Sequence, residues 1–268
     1  QIVCENWRNL ISVGAKPLAI TNCLNFGNPE KQKIMGEFVE CVYGIKEACE
    51  FLDFPVVSGN VSFYNETNTK SIFPTPVIGG IGVLNNLKKI MNIKTKRPGN
   101  LIMVIGKTFG HLNQSAFLQE NFSICDGPPP EINLINEKNN GLAILELIKE
   151  NFILSAHDIS SGGILLSLTE MSMASKLGLK IYKPEKLINP LEYFFGEDQG
   201  RYLIEIEKNN LNKINNFLKK NNIFGEVVAE VQNDTFEIEK TFSFNIQEFC
   251  NYNNQWYYKY NAIGKKQT

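Results

Sequence analysis

Two short stretches of the chain gather residue types suited to phosphate, ribose or a hard cation: LNFGNPEK, from Leu24 to Lys31, and SGNVSFYNET, from Ser58 to Thr67. Asparagine and serine side chains hydrogen-bond phosphate and sugar oxygens, amide carbonyls suit Mg²⁺, and glycine admits a ligand close to the main chain. The same residues also build ordinary turns between strands, and the motifs alone leave both readings open. Neither stretch carries the GxxxxGKS or GxxxxGKT of a P-loop or the GxGxxG of a dinucleotide turn. In AHDISSGG, Ala156–Gly163, Asp158 precedes a glycine turn and is expected to cap the helix that follows, with anion binding at the bare helix N-terminus as the alternative. GEDQGR, Gly196–Arg201, reads as surface salt bridging, and CDGPPPEI, Cys125–Ile132, as a rigid polyproline-like connector. His111 and His157 are the only imidazoles, neither with a partner at metal-ligand spacing, and the six cysteines lack CxxC spacing. These counts argue against a zinc enzyme, a histidine-based hydrolase and a disulfide framework.

The elements that must position the two stretches follow from apolar spacing. QIVCENWRNLISVGA carries Ile2 or Val3, Trp7, Leu10 and Ile11 at helical intervals and stops at Gly14. This helix starts at Gln1 with nothing before it, so an upstream strand is expected in a longer chain. KPLAIT reads as a buried strand, and Asn22, Asn25, Gly27, Asn28 and Pro29 as the loop after it. A helix follows over KQKIMGEFVECVYGIKEACEFL, with Met35, Phe38, Val42, Ile45, Cys49 and Leu52 as its apolar stripe. FPVVSGNVSFY is a second strand broken at Ser58, Gly59 and Asn60, and TPVIGGIGVL is a third. Strand, loop, helix and strand would bring two polar loops to one sheet edge. The basic segment Leu87–Asn100 ends in Pro-Gly and marks a boundary, giving a partial first domain over 1–90, a second domain over 96–262 and a tail over 263–268. In the second domain LIMVIGKT, RYLIEIE, EVVAEV and TFEIEK read as strands, with a polar helix at about 210–221. ILSAHDISSGGILLSLTEMSMASKLGL reads as strand, glycine turn and helix, with Leu165, Leu168 and Met171 or Met173 inward.

The chain has 268 residues, 43% of them hydrophobic, which at roughly 150 residues per domain suits two domains with sizeable cores. Lys and Arg number 27 against 28 Asp and Glu, so no net basic field exists to hold a phosphate backbone or an anionic membrane. No nucleic acid partner and no membrane association are expected. With no apolar run of spanning length and no secretory layout, a cytoplasmic location is expected.

Taken in order, PLAITNCLNFGNPEK, FVECVYGIKEACEFLDFPVVSGNVSFYNET, PTPVIGGIGVL, AHDISSGG and FGEDQGRY resemble the synthetase-subunit family of phosphoribosylformylglycinamidine synthase. The resemblance covers nearly the whole chain and weakens after about Val231. It implies an α/β (α+β) fold of the aminoimidazole-ribonucleotide-synthetase-like superfamily, whose members here pair two homologous halves. This chain looks like the C-terminal half: a partial domain A followed by domain B. The implied reaction converts formylglycinamide ribonucleotide, ammonia and ATP to formylglycinamidine ribonucleotide, ADP and phosphate, with Mg²⁺. The implied partners are a glutaminase subunit that supplies ammonia, a small assembly subunit and the missing N-terminal half.

By matched position, Asn22 and Gly59 would contact ATP, Asn60 would ligate Mg²⁺, and Ser62 would bind the ribonucleotide. The family's catalytic histidines lie in the other half, so no catalytic residue is assigned and the isolated chain is expected to be inactive. Family members commonly carry Asp where Asn22 stands and Asp where Ser161 stands, which puts a charged contact at both places in doubt. A non-catalytic scaffold half that binds a structural nucleotide is the alternative. Another superfamily member, such as an aminoimidazole ribonucleotide synthetase or a thiamine-phosphate kinase, is the third.

Overall fold

The computed structural model describes residues 1–182, 188–239 and 241–264. It divides into two compact units, one of Gln1–Ile90 with Ile132–Glu146, the other of Met91–Glu131 with Leu147–Thr268.

The first unit opens with α1 (Ile2–Ser12), followed by β1 (Lys16–Asn25), α2 (Gln32–Leu52), β2 (Val56–Ser62), the short hairpin β3 (Glu66–Thr67) and β4 (Lys70–Ser71), and β5 (Thr75–Val83). β1 lies at the centre of a three-stranded sheet, parallel to β2 and antiparallel to β5. The parallel pair needs a crossover, which α2 supplies. Trp7 and Ile11 of α1 are buried as their spacing predicts. Gly80 and Gly82 of β5 have no Cβ where one would strike Asn6, Leu10 or Ala15, so α1 lies close against the sheet. Arg8, fully buried, donates from Nη1 to both carboxylate oxygens of Glu137 at 2.9 and 2.8 Å. Ion pairing and hydrogen bonding offset the large desolvation cost of two buried charges.

Two local expectations change here. Asn22 and Asn25 belong to β1 rather than to a loop, and β2 runs through Ser58, Gly59 and Asn60 without a break. The ladder of a central strand satisfies main-chain groups on both sides and overrides the turn preference of asparagine. In α2, Ile45, Cys49 and Leu52 of the expected stripe are buried, whereas Met35 and Val42 are exposed together with Val39. Phe38 packs edge-on to Phe26 and Phe63, centroids 5.2 and 5.1 Å away.

The second unit is built on a sheet of seven strands among the described residues: β6 (Leu101–Ile105), β7 (Ser155–Asp158), β8 (Leu179–Ile181), β9 (Tyr202–Ile206), β10 (Gly225–Val231), β11 (Thr235–Ile238) and β12 (Phe242–Asn245), in the order β12-β11-β8-β10-β6-β9-β7. Its helices are α3 (Ala116–Phe122), α5 (Gly163–Ser175), α6 (Pro190–Phe195), α7 (Leu211–Lys220) and α8 (Ile246–Gly264), while α4 (Leu134–Lys149) belongs to the first unit as far as Glu146. All five residues of β6 are buried, and Ile102, Leu168, Met171, Leu203 and Phe236 share the core. The strand read over TFEIEK occupies Thr235–Ile238, with Lys240 outside the described residues, and the tail read over 263–268 lies outside them from residue 265.

GEDQGR is an internal lock rather than a set of surface pairs. Asp198 accepts from the main-chain N–H groups of Phe109, Gly110 and His111 at 2.9, 2.9 and 3.2 Å. Arg201, fully buried, donates to the carbonyls of Asp198 and Gly196 and to Thr108 Oγ1. Glu197 accepts from Ala116 N and Gly162 N, each at 2.8 Å. Gly162, rather than the expected Asp158, is the N-cap of α5, with no capping side chain of its own, and a carboxylate at the positive end of a helix is favourable.

Candidate strand-pair site

The four candidate residues of the first unit meet on adjacent strands. Along the parallel pair, Asn22 lies opposite Gly59, Cys23 opposite Asn60, Leu24 opposite Val61 and Asn25 opposite Ser62. Successive residues of a strand point to opposite faces, so the register separates the four into two pairs.

Asn22 and Gly59 share the face that carries the helices. A Cβ added to Gly59 would overlap the Asn22 side-chain oxygen, which shows that the amide lies over the glycine. Asn22 also lines a cavity of about 420 Å³ with Leu24, Ile45, Cys49, Phe54 and Val56. Asn60 and Ser62 lie on the other face, where Thr21 meets Gly79 of β5. On β5 that face carries Val77, Ile81 and Val83, all exposed. The structure therefore brings the four together in sequence register and separates their side chains into Asn22 with Gly59 and Asn60 with Ser62.

The strand ends are locked by residues the sequence reading passed over. Phe26 N donates to Ser62 O at 3.0 Å and Tyr64 N to Gly27 O at 3.0 Å, so the loop after β1 and the chain after β2 are stitched together. Lys31 pairs with Glu66 at 2.5 Å, and Ser71 Oγ donates to the same carboxylate at 2.8 Å. Those hydrogen bonds from Lys31 and Ser71 hold the Glu66 carboxyl below the usual range. A Cβ on Gly27 would overlap Ser71, so glycine is needed for this close approach. Asn28 Oδ1 accepts from Glu30 N at 2.8 Å, an Asx turn. Much of the asparagine and glycine in LNFGNPEK and YNET thus builds the frame around Ser62. The turn-forming reading of these residues anticipated part of this frame, and the pairing of Lys31 with Glu66, 35 positions apart, completes it.

Asn60 offers a neutral amide oxygen, and the described residues contain no group of three or more His, Cys, Asp or Glu placed to hold a metal ion. Its chemistry would suit one contact to a hard cation such as Mg²⁺. In the second unit, His157 lies between Glu170, 2.9 Å from Nε2, and Asp158, 3.4 Å from Nδ1. Burial alone would lower its pKa, and the hydrogen bonds and charges of the two carboxylates outweigh that, pushing it up to about 9. His157 is thus a structural cation at neutral pH. His111 faces the carbonyl of Pro128 at 3.0 Å.

Residues 1–84 match the family model for the N-terminal domain of AIR synthase related protein, and residues 97–240 match that for its C-terminal domain. The second match alone takes in over half of the chain, and the chain belongs to this family of AIR-synthase-related proteins. Within it, the chain is 51% identical over 260 residues to phosphoribosylformylglycinamidine synthase subunit PurL of Pelagibacter ubique, covering 97% of this chain and 36% of that protein. It is 50% identical over 212 residues to the same subunit of Azorhizobium caulinodans, covering 78% of this chain and 28% of that one. The chain spans about a third of the length of the curated relatives it matches. Among solved structures, T. maritima PurL complexed with ATP superposes with a TM-score of 0.70 at 20% identity, over 92% of this chain and 40% of that one. The hydrogenase maturation protein HypE of E. coli reaches 0.69 at 14% identity, over 91% and 77%. These likenesses show the α/β (α+β), AIR-synthase-like fold expected from the motifs.

Proposed function

We propose that the chain supplies part of the active site of an ATP-dependent ligase that converts formylglycinamide ribonucleotide and ammonia to formylglycinamidine ribonucleotide, ADP and phosphate. The observation that carries this reading is the strand-pair register, which sets Asn60 beside Ser62 on the face away from the helices, for the cation and the ribonucleotide; Asn22 and Gly59 form a separate pair on the helix face. Support comes from relatives named as PurL subunits and from T. maritima PurL, solved with ATP and with FGAR.

The chemistry is phosphoryl transfer to an amide oxygen, which turns an inert carbonyl into a leaving group, followed by displacement by ammonia. In this reading Asn22 hydrogen-bonds ATP through an amide where the family pattern has a carboxylate, and Gly59 leaves the room that the Asn22 side chain occupies. Asn60 would hold Mg²⁺ through its side-chain oxygen; when bound, the ion neutralises phosphate charge during transfer. Ser62 hydrogen-bonds the ribonucleotide through its hydroxyl. No residue of this chain is given a proton-transfer role. Ammonia comes from a glutaminase partner, with a small assembly subunit, in the cytoplasm. The other half of the enzyme covers the exposed apolar row of Leu18, Val77, Ile81 and Val83. The chain alone is then inactive.

The test is ammonia- and formylglycinamide-ribonucleotide-dependent ADP release by the full-length protein that carries this chain. Asn60→Ala is expected to cut turnover and raise the Mg²⁺ concentration needed for half-maximal rate. Unchanged turnover and unchanged Mg²⁺ dependence would refute the assignment and favour a scaffold half.

A further inference from the structure

Asn65, three residues beyond Ser62, bridges the ends of β1 and β2. Its Nδ2 donates to Phe26 O and Ser62 O, each at 3.0 Å, and lies 3.2 Å from Ser62 Oγ. Its main-chain N–H also donates to Phe26 O, at 3.2 Å. Carbonyl oxygens only accept, so the two of them determine which end of the Asn65 amide is nitrogen. Those two carbonyls take both amide hydrogens. Ser62 Oγ lies 3.2 Å from Asn65 Nδ2 and 3.4 Å from Oδ1, to which its hydroxyl donates. The Asn65 amide thus fixes the Ser62 hydroxyl in place, on the face it shares with Asn60.

We propose that Asn65 is a positioning residue that holds the Ser62 hydroxyl in the place where it hydrogen-bonds the ribonucleotide substrate. The inference rests on the reading that Ser62 binds that substrate. Without the Asn65 amide, the hydroxyl loses its side-chain partner and the carbonyls of Phe26 and Ser62 lose their donor, so the substrate meets a hydroxyl that is no longer held in place.

The test uses the full-length protein, with KM measured separately for the ribonucleotide and for ATP. Ser62→Ala is expected to raise the ribonucleotide KM about tenfold, as for one hydrogen bond. Asn65→Ala should raise it to a similar degree, with the KM for ATP and kcat little changed. The double variant should show no further rise. Asn65→Asp replaces the donor with an acceptor, and its defect should shrink as pH falls through the carboxylic acid range, where the neutral acid donates again. Two outcomes overturn the positioning role alone: Asn65→Ala raising both KM values, and raising them equally in the Ser62→Ala background, or Asn65 variants leaving the ribonucleotide KM unaltered while Ser62→Ala raises it. Ser62→Ala without effect overturns the substrate reading of Ser62 and the positioning role with it. Should Asn65 variants fail to fold, side-chain amide NMR of asparagine-labelled protein decides the matter. Ser62→Ala must then move an Asn65 Nδ2 proton resonance, and unmoved resonances overturn the inference.

Discussion

Replacing Gly59 with alanine separates the space a glycine leaves from the conformational freedom it allows. Gly59 is not among the positive-φ glycines, so alanine can adopt its backbone. The change removes freedom from the unfolded chain, a gain of about 0.5–1 kcal/mol. Against this, the new Cβ overlaps Oδ1 and Cγ of Asn22 and sits 3.0 Å from its main-chain oxygen. The overlap falls on the end of a side chain with two rotatable bonds, so the relief is a changed rotamer, costing about 0.5–1.5 kcal/mol. The two nearly cancel, and stability should stay within about 1 kcal/mol of the parent, a shift in Tm of no more than about 2–4 °C. In an Asn22→Ala background the amide is gone, and Gly59→Ala should stabilise by about 0.5–1 kcal/mol. ATP use should respond differently: displacing or deleting the Asn22 amide raises the KM for ATP in every variant. Thermal unfolding of the four proteins of this cycle, with steady-state KM values for ATP, tests both statements. A loss above about 3 kcal/mol that persists with Asn22→Ala would place the clash on the main chain and refute the account of Gly59.

Two further outcomes are expected from the charged groups. Glu137→Ala leaves Arg8 buried without its carboxylate and should cost about 3–5 kcal/mol, whereas Arg8→Met combined with Glu137→Leu should recover most of it; urea unfolding of the single and double variants measures the difference. For His157 the folded pKa of about 9 exceeds the ordinary 6.5, so its stabilisation is fully present below about 6.5 and is lost as pH rises through 9. The shift sets a ceiling of about 3 kcal/mol, which solvent at the partly exposed Glu170 reduces to about 1–2 kcal/mol. His157→Gln should flatten the fall in Tm between pH 6.5 and 9, and a slope identical to the parent's would refute the pairing.

Local pattern determined much of this protein. Trp7 and Ile11 at helical spacing predicted a buried face of α1, continuous apolar runs predicted β1, β5, β6 and β9, and the ordered motifs pointed to the AIR-synthase-like fold. Four helices were not read from the sequence: α3 and α6 span only seven and six residues, α4 buries the polar Glu137 and Asn140 alongside Ala143, Ile144, Leu147 and Ile148, and α8 is exposed all round from Asn251 to Ala262. Glu197 and Asp198 looked like surface charges because their partners are main-chain N–H groups, which no residue type announces. Arg8 and Glu137 stand 129 positions apart, beyond any local spacing rule. The motifs contain the four candidate residues, but that they lie on two paired strands came only from the structure. Which of them share a face depended on pairing register, since a slip of one residue sends every side chain to the other face. Sequence supplied the donors and acceptors; the ladder between β1 and β2 decided that Asn22 covers Gly59, and the Asn65 bridge decided where the Ser62 hydroxyl is held.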